Sequence, residues 1–440
     1  MVDARKPSST DASARFMVDD DLLDRLQRGA FGYFVDQTNP ANGLVADTSR
    51  AGSDASIAVV GFALSSYPVA VERGWLERED AATRVLVTLR FFESSPQDSG
   101  PDGTGHNGFY YHFLDMRSGK RAGRCELSPI DTSFLVAGIL TAAAYFTDAT
   151  SAEAEIRELA RGLVERIDWD WATNGKATVA QGWKPESGFF HYRWQGYNEA
   201  ALLYVLGLAS ASHPLPPTSY AAWTRTYQWE RIYGSDILYA GPLFIHQFSH
   251  AWIDFRKIQD PFMREKGSDY FENTRRAVDI QREYARLDPN ECELYGPDCW
   301  GFSAADGPGG RTERVRGRQR RFFGYASRGV PYGPDDGTIA PSAALSSLPF
   351  APVFALSAVR RFLELYPDWR DTWRLPSGFN RTAPGADARG WISDGHYGLD
   401  QGIVVLMIEN YRSELIWKLM RNSAPIRAGL KRAGFTGGWL

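Results

Sequence analysis

Three short stretches place a carboxylate at the head of an apolar run. Glu126-Leu-Ser-Pro-Ile-Asp131-Thr132 leads into Phe134–Leu140, and Trp194-Gln-Gly-Tyr197-Asn198-Glu199 leads into Leu202–Leu206. Tyr397-Gly-Leu-Asp400-Gln401-Gly402 leads into Val404–Ile408. An acid or amide at such a position can simply cap a helix, for about 1 kcal/mol. Three such heads, each beside Gly or an aromatic residue, can also converge on one end of a bundle. Two carboxyls facing across a cleft are what glycoside hydrolysis requires. One must be kept protonated by apolar surroundings while the other ionises. Glu199, Asp400, Asp131 and Glu126 are therefore the catalytic candidates.

A second group is His246-Gln-Phe-Ser-His250-Ala-Trp252-Ile-Asp254-Phe-Arg256. On one helix, His246, His250 and Asp254 would share a face, a spacing that can hold a metal. Gln247 stands where a zinc-hydrolase HExxH motif needs Glu, so no metal and no cofactor is expected. A hydrogen-bonding face toward a polyol and a buried structural network remain as readings. Trp300-Gly-Phe-Ser-Ala-Ala-Asp306-Gly and Asp336-Gly-Thr are turn-rich. Trp183, Trp194 and Trp300 can stack on a sugar ring or fill the core. The basic run Arg311–Arg321 reads as a solvated loop, with an anionic ligand as the alternative.

These residues need a scaffold, and helical periodicity dominates the chain after residue 17. A polar tail over 1–17 is expected to be disordered, followed by one catalytic domain over 18–440. Asp19-Asp20-Asp21 suits an N-cap, and helices are predicted from Ser53-Asp54 and over 77–92. Others are predicted near 129–147, 152–168, 197–210, 219–230, 242–257, 268–287, 339–347, 351–366, 400–420 and 425–433. One hairpin is expected over Gly108–Met116, turning at Ser118-Gly119. Long loops are expected over about 95–108 and 288–336. A dozen helices with long connections suggest an all-α ring of helix pairs, its inner members being the evenly apolar segments 129–140, 197–208 and 400–408.

Composition limits the partners. Lys plus Arg is 49 against 53 Asp plus Glu, a net charge of −4, which lacks the basic field of a non-specific nucleic-acid binder. No apolar run is long enough to span a membrane. The N-terminus has no signal-peptide core, so the chain as written reads as cytoplasmic; removal of a signal would make it periplasmic or secreted. Three Cys complete no disulfide framework, although Cys292 and Cys299 are near enough in sequence to pair. The 14 Trp, 20 Tyr and 25 Phe suit either a bulky core or a sugar-binding groove.

These motifs together resemble the bacterial family once labelled "putative glucoamylase", which includes endo-β-1,2-glucanases and the C-terminal region of cyclic β-1,2-glucan synthases. The resembling stretches include Phe31–Val45, Ser53–Arg73, Glu126–Leu140, Gly182–Ala200, Leu243–Arg256, Trp300–Pro308, Asp336–Pro341 and Leu399–Gly402. The resemblance implies an (α/α)6 toroid with substrate in a cleft across one end. It also implies hydrolysis of β-1,2-glucan, endo-acting or sophorose-releasing, with inversion. Transglycosylation, another glycan, or carbohydrate binding without catalysis are the alternatives. Carried over by motif, Glu199 is the general acid and Asp400 stands on the base side. The implied substrate-binding set is Trp183, Arg193, Trp194, Tyr197, His246, His250, Asp254, Arg256, Trp300, Asp306, Asp336 and Gln401. Ser393–Gly398 departs from the family pattern, so Asp394 or His396 is expected to alter the base or the proton path. The segment Arg311–Gly333 is an insert expected to reshape one end of the cleft.

Overall fold

A helix that buries every side chain must be surrounded, and four largely apolar segments do so. Ile57 through Ala70, Pro129 through Ile139, Ala201 through Leu208 and Gln401 through Asn410 are unbroken buried runs. In the computed structural model, which describes residues 9–385 and 387–440, they belong to an inner ring. The ring comprises α2 (Ile57–Glu72), α4 (Pro129–Tyr145), α6 (Ala201–Ala209), α8 (Leu243–Gln247), α11 (Pro341–Leu345) and α13 (Gly398–Arg412).

Neighbouring contacts run α2 to α4, α4 to α6, α11 to α13 and α13 back to α2. Side chains close the rest of the circle. Ser249, just after α8, accepts from the Leu202 amide of α6 at 3.2 Å, and Gln247 Nε2 donates to Ala343 O of α11 at 2.9 Å. α2 and α4 cross closely. A Cβ on Gly138 would lie 2.2 Å from Gly61 O, and one on Gly61 the same distance from Phe134 O, so only glycine fits at either place.

Outer helices carry the amphipathic stripe that a surface helix needs. α5 (Ser151–Glu165) buries Glu153, Ile156, Ala160 and Leu163, at spacings of three and four. α1 (Ser9–Asp36) packs on α13, α3 (Arg78–Ser94) on α2, α5 on α4, α10 (Tyr270–Leu287) on α8, α12 (Pro352–Leu365) on α11 and α15 (Ala424–Arg432) on α6. Six inner and six outer helices make an (α/α)6 toroid. Shorter helices α7 (Ser219–Thr224), α9 (Pro261–Glu265) and α14 (Leu415–Asn422) fill the joints. On the ring axis, Phe62, Phe134, Phe248 and Trp252 pack with centroids 4.8–6.2 Å apart.

Several expectations change. Residues 1–8 of the expected tail lie outside the described residues, and from Ser9 the chain is helical, so Asp19–Asp21 lie within α1 and cap nothing. The helix expected over 242–257 ends at Gln247 and tightens into a 3-10 turn over Phe248–Ala251. That over 400–420 breaks at Glu414, whose φ of 60° is left-handed. The hairpin expected over Gly108–Met116 is divided. Phe109–Tyr110 pairs with Gly105–His106, and Phe113–Leu114 pairs with Ala55–Ser56 before a turn through Ser118-Gly119. The basic run is not a loop: Arg311–Val315 pairs with Arg318–Phe322. Arg316 and Gly317 both take positive φ, 50° and 80°, the backbone of a tight two-residue hairpin turn. Cys125, Cys292 and Cys299 are all free thiols. Among the described residues no helix is long and apolar enough to cross a membrane.

Candidate active site

The heads of α4, α6, α8, α11 and α13 open onto one cavity of about 490 Å³. Its floor includes Phe134 and Phe248 of the aromatic plug. All four catalytic candidates reach its wall: Glu126, Asp131, Glu199 and Asp400. α6 and α13 stand three places apart in either direction round the ring, so Glu199 and Asp400 face each other across it.

Glu199 precedes the first turn of α6. Ser249 Oγ donates to its backbone carbonyl at 2.9 Å, and Asn198 Oδ1 accepts from Trp223 Nε1 at 3.1 Å, which holds the stretch in place. Burial raises the Glu199 carboxyl to about 7, helped by the charge of Asp131 and opposed by a backbone hydrogen bond. Asp400 lies in the first turn of α13, where Ser342 Oγ donates to it at 2.8 Å. Burial raises it to about 7 as well, against the hydrogen bonds of Ser377 and Ser342. Asp131 sits in the first turn of α4 and accepts from Ser128 Oγ, the helix cap.

Glu126 is held by His112, whose Nδ1 lies 2.9 Å from Glu126 Oε1. Burial works to raise the Glu126 carboxyl, but the His112 bond and charge outweigh it and leave it below its usual value. Burial likewise opposes charge on His112, yet Asp131, Glu126 and Asp47 together raise it to about 9. Asp47, which also lines the wall, is pushed to about 6 by burial. The cavity thus pairs raised carboxyls on the α6 and α13 sides with a lowered Glu126 and a raised His112 on the α4 side.

Of the expected substrate-binding residues, only Trp194 lines this cavity. Its Nε1 is buried without a hydrogen-bond partner among the described residues. The others have structural work elsewhere. Trp183 stacks on His106 at 5.1 Å, and Trp300 is fully buried in the core. Arg193 donates to Thr173 O at 2.7 Å and Thr178 Oγ1 at 2.9 Å. His246 Nδ1 lies 3.1 Å from Tyr197 Oη and its Nε2 3.1 Å from Ala240 O; burial holds it neutral, its pKa lowered to about 4. His250 faces Thr274 Oγ1 at 3.1 Å and is lowered by burial to about 3.

The helix break after Gln247 removes Asp254 from any shared face with these histidines. Asp254 instead accepts from Arg256 at 2.8 Å and from Arg421, while Arg256 also donates to Glu414 at 2.8 Å. Asp336 forms a fully buried two-pronged pair with Arg328, at 2.7 and 2.9 Å. Gln401 Nε2 donates to Leu375 O at 3.0 Å. Asp306 and Asp394 both accept from Arg50, which also donates to Tyr397 Oη at 2.8 Å. His396 is tied to Leu375 O at 3.0 Å, so neither Asp394 nor His396 enters the cavity. The insert does reach it, through Tyr325 and Ser327.

Sequence reasoning missed Asp47, His112, Gln181, Phe190, Phe244, Ser303, Tyr325 and Ser342 on this wall. They sit on extended or irregular segments or on very short helices, where no helical period marks a face. For Asp47, the available signal was its place in the connection between two resembling stretches. Among the described residues, no group of three or more His, Cys, Asp or Glu is arranged to hold a metal ion.

Known proteins share this architecture. A protein from Bacteroides uniformis described as a putative glucoamylase superimposes with a TM-score of 0.83 at 30% identity, covering 99% of this chain and 100% of that one. An endo-β-1,2-glucanase from Chitinophaga pinensis, solved with sophorotriose and glucose, gives a TM-score of 0.83 at 26% identity over 96% of this chain and 99% of its own. An exo β-1,2-glucooligosaccharide sophorohydrolase (non-reducing end) from Parabacteroides distasonis is 25% identical over 94% of this chain, which spans 58% of that relative's length. Residues 191–424, more than half of the chain and including Glu199 and Asp400, match the Glycoamylase family, described as "Putative glucoamylase", and the chain belongs to that family.

Proposed function

We propose that this chain is a glycoside hydrolase that cleaves β-1,2-linked glucan with inversion, Glu199 serving as general acid and Asp400 as general base. The observation that carries this reading is the opposition of two protonatable carboxyls across the mouth of the ring. Neighbouring helix axes stand ~8–10 Å apart, which puts opposed axes of a six-membered ring ~16–20 Å apart. One Glu and one Asp side chain reaching inward then leave a gap of roughly one sugar ring and a water. That is the wide spacing of an inverting pair, ~6.5–9.5 Å, rather than the ~5–5.5 Å of a retaining one.

Glu199, kept protonated near neutrality by its apolar surroundings, delivers its proton to the glycosidic oxygen. Asp400, raised to about 7 as well, acts in the molecules in which it is ionised and draws a proton from water on the opposite face. Phe134, Phe248, Phe190 and Trp194 supply apolar surface for sugar rings. The β-1,2 linkage is favoured over starch because the related enzymes from Chitinophaga and Parabacteroides are both named for β-1,2-glucans.

The test is incubation of the purified protein with linear β-1,2-glucan, starch and other glucans, following product size and anomer by NMR. Short sophoro-oligosaccharides or sophorose of inverted configuration are expected from β-1,2-glucan alone. Products longer than the substrate would replace hydrolysis with transfer, and retained configuration would overturn the assigned pair.

A further inference from the structure

Five carboxylates line the cavity, and His112 is the only basic side chain among its lining residues. It lies on an extended segment whose backbone is fixed on two sides: its amide donates to Glu126 O at 2.9 Å, and its carbonyl accepts from the Ile57 amide at 3.3 Å. Phe113 stacks on the ring with centroids 3.9 Å apart and planes 13° off parallel. The ring has little freedom to turn.

Both of its nitrogens face carboxylate oxygens. Nδ1 lies 2.9 Å from Glu126 Oε1, and Nε2 lies 3.6 Å from Asp131 Oδ2. A neutral imidazole has one N–H and one lone pair, so it would aim that lone pair at an anion. An imidazolium has a proton for each. The groups facing it are all acidic: Glu126 on its own segment's partner, Asp131 on α4 and Asp47 on the segment before α2. The nearest further charges, Lys184 beside Glu126 and Asp54 beside Asp47, are of opposite sign to each other.

We propose that His112 is a positioning residue that stands as a fixed imidazolium, holds Glu126 and Asp131 as anions on the α4 wall, and so leaves the exchangeable protons to Glu199 and Asp400. Without it, five acids in one small cavity would compete for protons, and no single pair would hold a defined acid and base. The role rests on the proposed glycosidase reading, but its first test does not need substrate.

The seven histidines can be titrated in the intact protein through their ring Cε1–H signals by NMR, with His112 identified by its loss in His112→Gln. The expected midpoint for His112 lies above pH 8, toward about 9. A midpoint at or below 6.5 would overturn the proposal. Glu126→Gln should lower that midpoint by about one pH unit or more; an unmoved midpoint would also overturn it. This second variant serves if His112→Gln does not fold.

In His112→Gln, the loss of a positive charge should move both limbs of the pH–rate profile on β-1,2-glucan to higher pH, by about one unit. A slower enzyme with both limbs in place would mean that the ring only supports the fold. No activity on any glucan, with His112 still titrating above pH 8, would refute the substrate reading and leave this one standing.

Discussion

Glu199→Gln changes one ionisable proton and almost nothing of the shape, and the structure fixes both consequences. The hydrogen bond that ties Glu199 to α8's side of the ring uses its backbone carbonyl, so the variant should fold. General acid–base catalysis contributes about 10²–10⁴ in rate, or ~2.7–5.4 kcal/mol of barrier, and the poor leaving group of an unactivated glucan places the expected loss toward the upper end.

Stability should move the other way. Below pH 4.5 the carboxyl is protonated in folded and unfolded chains alike and costs nothing. Above about 7 it is ionised in both, and the fold then bears the ion in apolar surroundings. Stability is therefore lost as pH rises through that window, by at most ~3 kcal/mol, since water in the cavity relieves part of the cost. With an unfolding entropy of about 2 cal/mol/K per residue, 440 residues turn this into a Tm difference of at most ~3 °C. The assay is thermal unfolding of wild type and variant at pH 4.5 and 8, with initial rates on β-1,2-glucan beside it. The variant should match wild type at low pH, lead it by ~1–3 °C at pH 8, and be at least ~100-fold slower. A rate within about threefold of wild type would remove Glu199 from the mechanism. A Tm difference that ignores pH would refute the account of its burial.

Asp400→Asn should keep its contact with Ser342 and lower kcat by ~10² or more with KM within a few-fold, so kcat and KM must be measured separately; a rise in KM alone would make Asp400 a binding residue. Asp336→Asn strands the buried Arg328 charge and should cost ~3–5 kcal/mol in chemical denaturation. Arg328 holds the Asp336 carboxyl low despite its burial, so that stabilisation is present above the ordinary carboxylate range and fades as pH falls through the lower folded value. Gly138→Ala pushes a Cβ against Gly61 O and should cost ~1–3 kcal/mol, read as a lower Tm; an unchanged Tm would mean that α2 and α4 separate freely.

What could be read from the residues follows from how a closed ring of helices buries its members. An inner helix has no solvent side, so Ile57–Ala70 or Ala201–Leu208 shows no helical period, only continuous apolarity. A polar residue at the head of such a helix has one place to go, the opening of the ring, which is why Glu199, Asp131 and Asp400 were legible. The same reasoning fails where geometry between elements decides. His246, His250 and Asp254 are evenly spaced for a helix, but α8 is only five residues long, and the 3-10 turn after it sends the three side chains into separate networks. Trp183 and Trp300 have the right chemistry for sugar stacking, yet composition cannot separate a ring facing a cavity from one facing the core.

His112 and Asp47 were missed for the complementary reason: each lies on a short extended segment whose facing is set by pairing far along the chain, with Ala55–Ser56 in one case and with Tyr397–Gly398 in the other. The two ends of the ring show why the cavity forms where it does. At the far end, the charges of Asp254, Arg256, Glu414 and Arg421 meet in direct pairs. At the open end the carboxyls outnumber their cations, and two of them face apolar walls. An excess of buried acids is unfavourable for the fold, and it is tolerated there because those acids meet a cavity and one another rather than arginine. Chemistry at this end is thus a consequence of leaving the pairing incomplete, and an arginine placed beside Asp400 would offset the cost of its burial while lowering its carboxyl and so weakening the base that draws a proton from water.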